Sequence, residues 1–270
     1  MSDSMSIGAA AMQAQQLSVD TIANNLANVN TPGFKKARVN FTDLVTVDTQ
    51  APDVDAAMPG ANALRSTLAG LALRSTGMGV GVAGTPRMFD AGAVAPTGSM
   101  WDLAINGDGF LQVTMPDGTT QYARGGTLTV NADGVLATQS GLPLKPALRV
   151  PANMTGLSIA SDGTVTATVS DQSKPIQLGQ LQLARFVNPT GLAAQGDNRY
   201  APTDASGEPS VAIAGQEGNG TLQQAALEGS NVKLVDEMVN LMIAQRAYEA
   251  NTKIVQASDE IESLVNNLRK

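Results

Sequence analysis

The sequence predicts an α+β protein in which long N- and C-terminal helices form a coiled-coil stem and an all-β domain of antiparallel hairpins is inserted between them. Three observations support this fold class. Apolar residues recur seven apart near both ends of the chain, as they do in helices that pack side by side. Between Trp101 and Pro189 the apolar period changes to two. Asp-Gly pairs in the same region favour tight turns between antiparallel strands.

The first predicted element is a helix from Met5 to Val29, inside an N-terminal segment of residues 1–34. Its apolar positions recur every seven residues and form one narrow apolar stripe along the helix. The helix ends before Pro32 and Gly33, because proline biases the preceding residue away from the α region and glycine permits a turn. The predicted assembly positions on this helix are Val19, Ile22, Leu26 and Val29.

The last predicted element is a helix within residues 227–270. Neither proline nor glycine occurs from Val232 to Lys270, and Ser230 or Asn231 can serve as its N-cap. Such a helix would exceed about 50 Å, which is more than most cores need. It either caps an ordinary core or joins a coiled coil between subunits, and periodicity alone leaves both open. The predicted assembly positions are Leu234, Met238, Leu241, Gln245, Tyr248, Thr252 and Val255.

Residues 35–100 are predicted to be an extended arm or linker with room for a β-hairpin. A short helix is predicted at Asn62–Leu73 from its leucine spacing. Gly79, Gly81 and Gly84 match the pattern G-x-G-x-x-G, but Thr85-Pro86-Arg87 follows where a dinucleotide site needs a helix. We therefore interpret this run as a glycine-rich strand or hinge.

Residues 101–190 are predicted to be the β domain, and residues 191–226 a loop-rich connector with many glycines. The β domain contains four Asp-Gly pairs, and none is followed by the residue series of a calcium loop. We interpret all four as turns: Asp108-Gly109, Asp117-Gly118, Asp133-Gly134 and Asp162-Gly163.

The composition excludes several classes of function. With a net charge of -7, the chain is a poor match for nucleic acid, which requires clustered basic residues. The basic cluster at Lys35, Lys36 and Arg38 is interpreted as solvated loop surface. Because there is no cysteine and no histidine, thiol chemistry, the usual zinc sites and imidazole catalysis are excluded. The sequence therefore predicts no catalytic residue, no cofactor, no metal and no small-molecule substrate.

The ends of the chain carry no recognisable secretory signal, and no run approaches the roughly 20 apolar residues that a membrane span needs. Export, if it occurs, is therefore expected to use another route. Aromatic residues are scarce and small residues are common, so the chain is expected to gain much of its stability by association.

Three stretches resemble the bacterial flagellar rod and hook family of axial proteins. They are ANNLANVNTPGFKK from Ala23, INGDGFLQV from Ile105 and LEGSNVKLVDEMVNLMIAQRAYEANTKIVQASDE from Leu227. One departure is Arg124-Gly125-Gly126-Thr127-Leu128, where the family usually has Asp or Asn, glycine and an aromatic residue after the arginine. The two terminal motifs stand in the family's order.

The resemblance implies a structural subunit without enzymatic activity. Family members leave the cell through the flagellar type III export apparatus and assemble into a hollow helical tube in the periplasmic rod. Their terminal helices form an inner coiled-coil layer, and the β domain lies outside it. The implied partners are copies of the same chain, other rod proteins, the hook protein and the export apparatus.

Two alternatives remain at this point. Other axial proteins, including proximal rod members and the hook protein, share the same termini. A cell-wall hydrolase could use paired carboxylates of the β domain, although the Asp-Gly turns already account for most of them.

Overall fold

The computed structural model describes residues 2–48, 74–170 and 174–268. Two long helices, α1 (Ser2–Ala27) and α2 (Leu234–Leu268), lie near the ends of the chain, and the described sequence between them is folded mainly into strands and the loops that join them. The predicted α+β class with terminal helices is therefore confirmed. The short helix predicted at Asn62–Leu73 lies outside the described residues.

Strands β1 to β9 are β1 (Asn40–Asp48), β2 (Arg74–Gly84), β3 (Val94–Pro96), β4 (Asp102–Asn106), β5 (Phe110–Thr114), β6 (Thr120–Ala123), β7 (Gly125–Val130), β8 (Leu136–Thr138) and β9 (Leu144–Lys145). Strands β10 to β18 are β10 (Met154–Ile159), β11 (Thr164–Val169), β12 (Ile176–Gln180), β13 (Gln182–Arg185), β14 (Ala193–Gly196), β15 (Arg199–Ala201), β16 (Ser210–Ile213), β17 (Thr221–Gln224) and β18 (Ala226–Glu228). A short 3-10 helix occupies Pro189–Gly191.

The chain divides into two units. Unit 1 contains Met1–Ala23, Val39–Thr85 and Met238–Lys270, and unit 2 contains Asn24–Arg38 and Pro86–Glu237. Both terminal helices run from one unit into the other. The five domain boundaries proposed from the sequence remain predictions.

In unit 1 the two helices touch each other. A Cβ atom added to Gly8 would lie only 2.7 Å from Val255 Cγ2. Thr252 Oγ1 lies 3.7 Å from Met12 Sδ. Because the contact positions rise along α1 while they fall along α2, the two helices are antiparallel. The coiled-coil geometry of this pair remains a prediction.

Unit 1 also contains a long hairpin in which β1 pairs with β2, from Asn40 opposite Gly84 to Asp48 opposite Arg74. The glycine-rich run lies in β2, so its interpretation as a strand is confirmed. A Cβ atom at Gly81 would lie 3.2 Å from the side chain of Leu44, which shows why a small residue fits there.

The end of α1 and the start of α2 both differ from the prediction. Helix α1 ends at Ala27 and not at Val29, and the Asn28 side-chain amide donates to Asn24 O (2.9 Å), satisfying one of the last helical carbonyls. Helix α2 begins at Leu234, beyond the predicted N-caps. The side chains of Ser230 and Asn231 are bonded elsewhere, and the Glu237 N–H donates to Lys233 O (3.0 Å) in the first turn of α2.

Unit 2 is built from antiparallel sheets. The largest has the order β14-β15-β6-β5-β13-β16, with β9 also paired to β5. A second sheet has the order β17-β4-β7-β8, a third β10-β11-β12, and β18 pairs with β3. The predicted central antiparallel β domain is confirmed.

Two apolar clusters form the core of unit 2. The larger consists mainly of aliphatic side chains that alternate inward along the strands, including Leu103, Ile105, Val113, Leu136, Val165 and Leu183. The smaller is aromatic: Phe110, Tyr122, Phe186 and Tyr200 belong to it, and Phe89 packs against it. Three of the five phenylalanines and two of the three tyrosines therefore gather at one place.

The Asp-Gly pairs at 117–118, 133–134 and 162–163 each join two strands that pair with each other, as predicted. The prediction is wrong for Asp108-Gly109, because β4 and β5 on either side of it belong to different sheets. Asp117 Oδ1 accepts the Thr119 N–H (2.8 Å), and Gly118 has a φ of 83°, which favours glycine. The pair Asp162-Gly163 repeats this arrangement before β11.

Residues 191–226, predicted to be a loop-rich connector, contain four strands, β14 to β17. Asp197 and Asn198 join β14 to β15 in the left-handed conformation, with φ values of 54° and 52°. This is the backbone of a two-residue hairpin turn of type I′. The strands have only three or four residues each, so their alternation is too short to stand out among the glycines.

The contact at Gly8 generates the first prediction. At an exposed position inside a helix, replacing glycine with alanine stabilises the helix by about 1 kcal/mol. Here we expect destabilisation of the helix pair, because the new methyl group meets Val255. The double variant Gly8→Ala with Val255→Ala should recover stability, with a coupling of about 1 kcal/mol or more by thermal unfolding followed by helical circular dichroism. Additive effects of the two substitutions would contradict the contact.

Candidate assembly interface and its buried junction

The predicted assembly positions near the N-terminus are only partly covered. Val19, Ile22 and Leu26 lie on α1 and are half-buried. Val29 is also half-buried, but it lies in the turn that follows the helix. Three of the four positions are therefore brought onto one helix.

The seven predicted positions on α2 do not share one environment. Leu241, Thr252 and Val255 are half-buried, and Val255 contacts Gly8. The hydroxyl of Thr252 donates to Tyr248 O (3.0 Å), inside its own helix. The remaining positions are exposed: Leu234, Met238, Gln245 and Tyr248.

An open cleft of about 630 Å³ brings three predicted positions together. Val19 lines it from α1, and Gln245 and Tyr248 line it from α2. Asp20 and Glu249 add two carboxylates at the same cleft. The two helices therefore do not fill the space between these residues.

Helix α2 has a second apolar face that the seven-residue series largely missed. We call it the outer stripe: Val239, Met242, Ile243, Ile254, Ile261 and Leu264, all exposed. Ile243 and Leu264 are 61% and 63% exposed. At 100° per residue, Val239, Met242 and Leu264 lie about 140° or more around the helix from buried Ala244 and from Val255. The three isoleucines lie on the adjoining flank, about 80–120° from those two residues. The spacings of three, four and seven residues are the signal that could have identified it.

Unit 2 contains a buried cluster of three charged side chains. Lys35 Nζ donates to Glu228 Oε1 (2.7 Å) and to Asp90 O (2.6 Å). Arg124 approaches the same carboxylate with Nε and Nη2, each at 3.2 Å. The Gly92 N–H donates to Glu228 Oε1 as well (2.9 Å). We call Lys35, Arg124 and Glu228 the charged junction.

The junction contradicts the sequence-based interpretation of Lys35 as solvated surface, because its side chain is fully buried. Arg124, which the sequence singled out only as a family landmark, is also buried, and its guanidinium donates to Gly109 O (2.8 Å) and stacks over Phe110. Lys35 is 193 residues from Glu228 and Arg124 is 104, so no local spacing reports the contact.

Burial and neighbouring charges change the pKa values of both Lys35 and Glu228. Burial lowers the pKa of Lys35 below its ordinary value of 10.5, and the neighbouring Arg124 adds to this, although bonding to Glu228 opposes both. For Glu228, burial alone would raise the pKa, but Arg124, Lys35 and Gly92 outweigh it and hold the pKa below 4.5. Glu228 is therefore ionised at neutral pH.

Two asparagine side chains near the charged junction hold the segment that follows α1. Asn25, 2% exposed near the end of α1, exchanges hydrogen bonds with both the N–H and the carbonyl of Ala37 (2.9 Å each). Its amide also reaches Glu237 Oε2 (3.4 Å) at the start of α2. Asn231 accepts the Lys36 N–H (2.8 Å) and donates to Met88 O (2.8 Å). These side chains add to the antiparallel bridge that the segment forms between Ala37 and Arg87.

Two further kinds of functional feature, metal sites and membrane-spanning helices, are absent from the described residues. No three acidic side chains among them are grouped closely enough to hold a metal ion. None of the helices in the described part of the chain is long and apolar enough to cross a membrane.

The junction generates the second prediction. Glu228→Gln should lower the free energy of unfolding of unit 2 by about 3–5 kcal/mol, because two buried cations lose their anion. In the unmodified chain the depressed pKa of Glu228 contributes stability above pH 4.5 that is lost as the pH falls through the lower folded value. Denaturant unfolding between pH 7 and pH 2 should show this loss in the unmodified chain and a flatter profile in the variant.

Glu208→Gln is the matched control, since Glu208 is exposed in the loop before β16. It should leave the neutral-pH stability within about 0.5 kcal/mol of the unmodified value. Equal stability of Glu228→Gln and Glu208→Gln would contradict a structural role for the junction.

Three family models match the chain, in the order helix, β domain, helix. Residues 5–35 match the flagella basal body rod protein family. Residues 104–167 match the D1 domain of the flagellar hook proteins FlgE, FlgF and FlgG, and residues 223–268 match the C-terminal region of the flagellar basal body rod FlgEFG proteins. All three charges of the junction lie within or close to these regions.

Curated relatives align with nearly the whole chain. The flagellar basal-body rod protein FlgG of Borreliella burgdorferi is 40% identical over 264 residues, covering 97% of each chain. That of Agrobacterium fabrum is 38% identical over 268 residues, again covering 97% of each. The flagellar hook protein FlgE of Salmonella typhimurium is 35% identical over 195 residues, covering 67% of this chain and 46% of its own. The chain therefore belongs to the flagellar rod and hook protein family and is a structural subunit of the flagellar basal-body rod, most like the distal rod protein.

Proposed function

We propose that the chain assembles with copies of itself through its two terminal helices, forming a hollow helical tube that transmits torque to the hook. The terminal helices form its inner coiled-coil layer. The other partners are neighbouring rod proteins, the hook protein and the flagellar type III export apparatus. The role is mechanical and involves no catalysis.

The observation that carries this proposal is the outer stripe of α2. Six apolar side chains repeat along several turns of α2, on an exposed face that runs from the side opposite Ala244 and Val255 to one flank of the helix. Fully burying one such side chain contributes about 1.5–3 kcal/mol. A neighbouring helix laid along the stripe would therefore gain a large apolar contact without any rearrangement of the α1–α2 pair.

The cleft between α1 and α2 supports the same proposal. Val19, Gln245 and Tyr248 line a space that the chain itself does not fill. Side chains of a second copy could enter it, with Gln245 supplying a polar contact that fixes the register. We retain the other predicted positions as part of the proposed interface: Ile22, Leu26, Val29, Leu234, Met238, Leu241, Thr252 and Val255.

The two faces of α2 also explain why a filament would form. An interface between different surfaces of neighbouring copies, with a rotation that does not close, continues as a helix. The outer stripe and the cleft are different surfaces of the same helix pair. A subunit that offers both can contact one copy on each side.

The outer stripe generates the third prediction. Ile243→Asp should abolish assembly of the purified chain, because a carboxylate would be buried without a partner at the new contact. The monomer should keep its fold, with a change in unfolding free energy below about 1 kcal/mol, since Ile243 is exposed. Sedimentation velocity and electron microscopy measure assembly, and circular dichroism measures helix content.

The matched control is Asn240→Asp, which introduces the same carboxylate at an exposed position of α2 outside both the stripe and the predicted assembly series. This variant should assemble normally and support swimming. Normal rods and swimming with Ile243→Asp would rule out the outer stripe as an assembly surface.

A further inference from the structure

We propose that the segment Asn24–Arg38 is a detachable strap on unit 2. It docks on residues 86–237 through the buried ammonium of Lys35, and the Arg124–Glu228 pair keeps the docking surface folded when the strap is released. This inference goes beyond assembly, because it concerns a single chain and requires no second copy.

The strap is not part of either core of unit 2. The described members of both apolar clusters, and the side chains packed against them, all lie between Phe89 and Leu222. Phe34 is the large buried apolar side chain of the strap, and it lies under the Arg87 guanidinium, 5.1 Å from the ring centre, outside those clusters. Release of the strap would therefore leave the cores intact.

The other strap contacts are hydrogen bonds, among them the pair that forms the antiparallel bridge between Ala37 and Arg87. The Gly33 N–H donates to Glu228 O (2.7 Å), and the Arg38 N–H donates to Pro86 O (3.1 Å). The Asn198 side-chain amide donates to Pro32 O (2.8 Å) from the tip of the β14–β15 hairpin. Water can replace each of these bonds on release, so they shape the docked strap without making it permanent.

The charged junction is asymmetric, and this asymmetry is the basis of the proposal. Two cations, Lys35 and Arg124, share the one carboxylate of Glu228, so the docked state buries one positive charge more than it neutralises. If Lys35 leaves, Glu228 retains two bonds from Arg124 and one from the Gly92 N–H. No buried carboxylate is then left unpaired, and the charge that moves into water is the one that burial penalises.

The two cations are also held differently. Arg124 belongs to the docking surface: it is anchored by Gly109 O and lies against Phe110, a member of the aromatic cluster. Lys35 is carried by the strap and enters from outside that surface. The structure thus separates a fixed cation from a removable one, and the last turn of α1, which lies inside the strap, docks or detaches with Lys35.

The test is amide hydrogen exchange on the full-length monomer at low concentration, for Lys35→Glu and for Lys36→Glu. Lys35→Glu would place a second carboxylate beside Glu228, so amides of the strap should exchange about 100-fold faster or more. Amides of β4, β5 and β13 should keep their protection, and the thermal midpoint of unit 2 should stay within about 2 °C of the unmodified value. Lys36→Glu makes the same charge change at the partly exposed neighbour and should leave strap exchange unchanged.

A third variant, Arg124→Met, tests the docking surface itself and should lose protection in the core strands as well as in the strap. The proposal is overturned if Lys35→Glu leaves the strap protected, or if it removes protection from β4, β5 and β13 together with the strap. Unchanged core protection in Arg124→Met would equally overturn it, because Arg124 would then not belong to the fixed surface. None of these measurements depends on assembly, so their failure is distinguishable from a failure of the proposed interface.

Discussion

The carboxylate of Glu228 is the contact on which the arrangement of unit 2 depends. It brings together the segment after α1, the end of β6 and the approach to α2, three places that are far apart in the sequence. A buried ion pair adds little net stability, because the desolvation of both charges offsets most of their attraction. Its effect is on specificity: an incorrect docking of the strap would leave Glu228 or Lys35 buried without the same set of partners. The surrounding aliphatic and aromatic clusters supply stability, and the junction selects one arrangement of the strap in unit 2.

The sequence predicted the elements of this fold well and their junction not at all. The helices were visible because their apolar period persists over many turns, and the Asp-Gly turns because each depends on two adjacent residues. The strands after Pro189 were missed because each has three or four residues and glycines interrupt them. Lys35 was interpreted as solvated because it stands beside Lys36 and Arg38 in the sequence. Its burial is decided by Glu228, 193 residues away, and no local pattern carries that information.

Sequence periodicity also gave only part of the candidate interface. A strict seven-residue series selected Gln245 and Tyr248, which line the open cleft, and Leu234, which is exposed at the start of α2. The outer stripe follows spacings of three and four as well as seven, so it turns away from that series along the helix. Both patterns are present in one sequence because α2 has two apolar sides. Sequence periodicity can identify that a helix has apolar faces, but it cannot say which one the chain itself covers.

The two faces of α2 differ in the size of their residues, and this difference bears on how the protein is ordered. The face toward α1 uses Ala244 and a glycine partner at Gly8, so the helices approach closely while they bury little apolar area. The outer stripe carries the large side chains, among them Ile243, Ile254 and Leu264, and leaves them in water. Most helix stability in proteins comes from the packing of an apolar face. A helix pair of this kind therefore gains further stability when another element covers the outer stripe. In the proposed tube, assembly would therefore add the larger part of the apolar contact to helices that a small, close contact has already oriented.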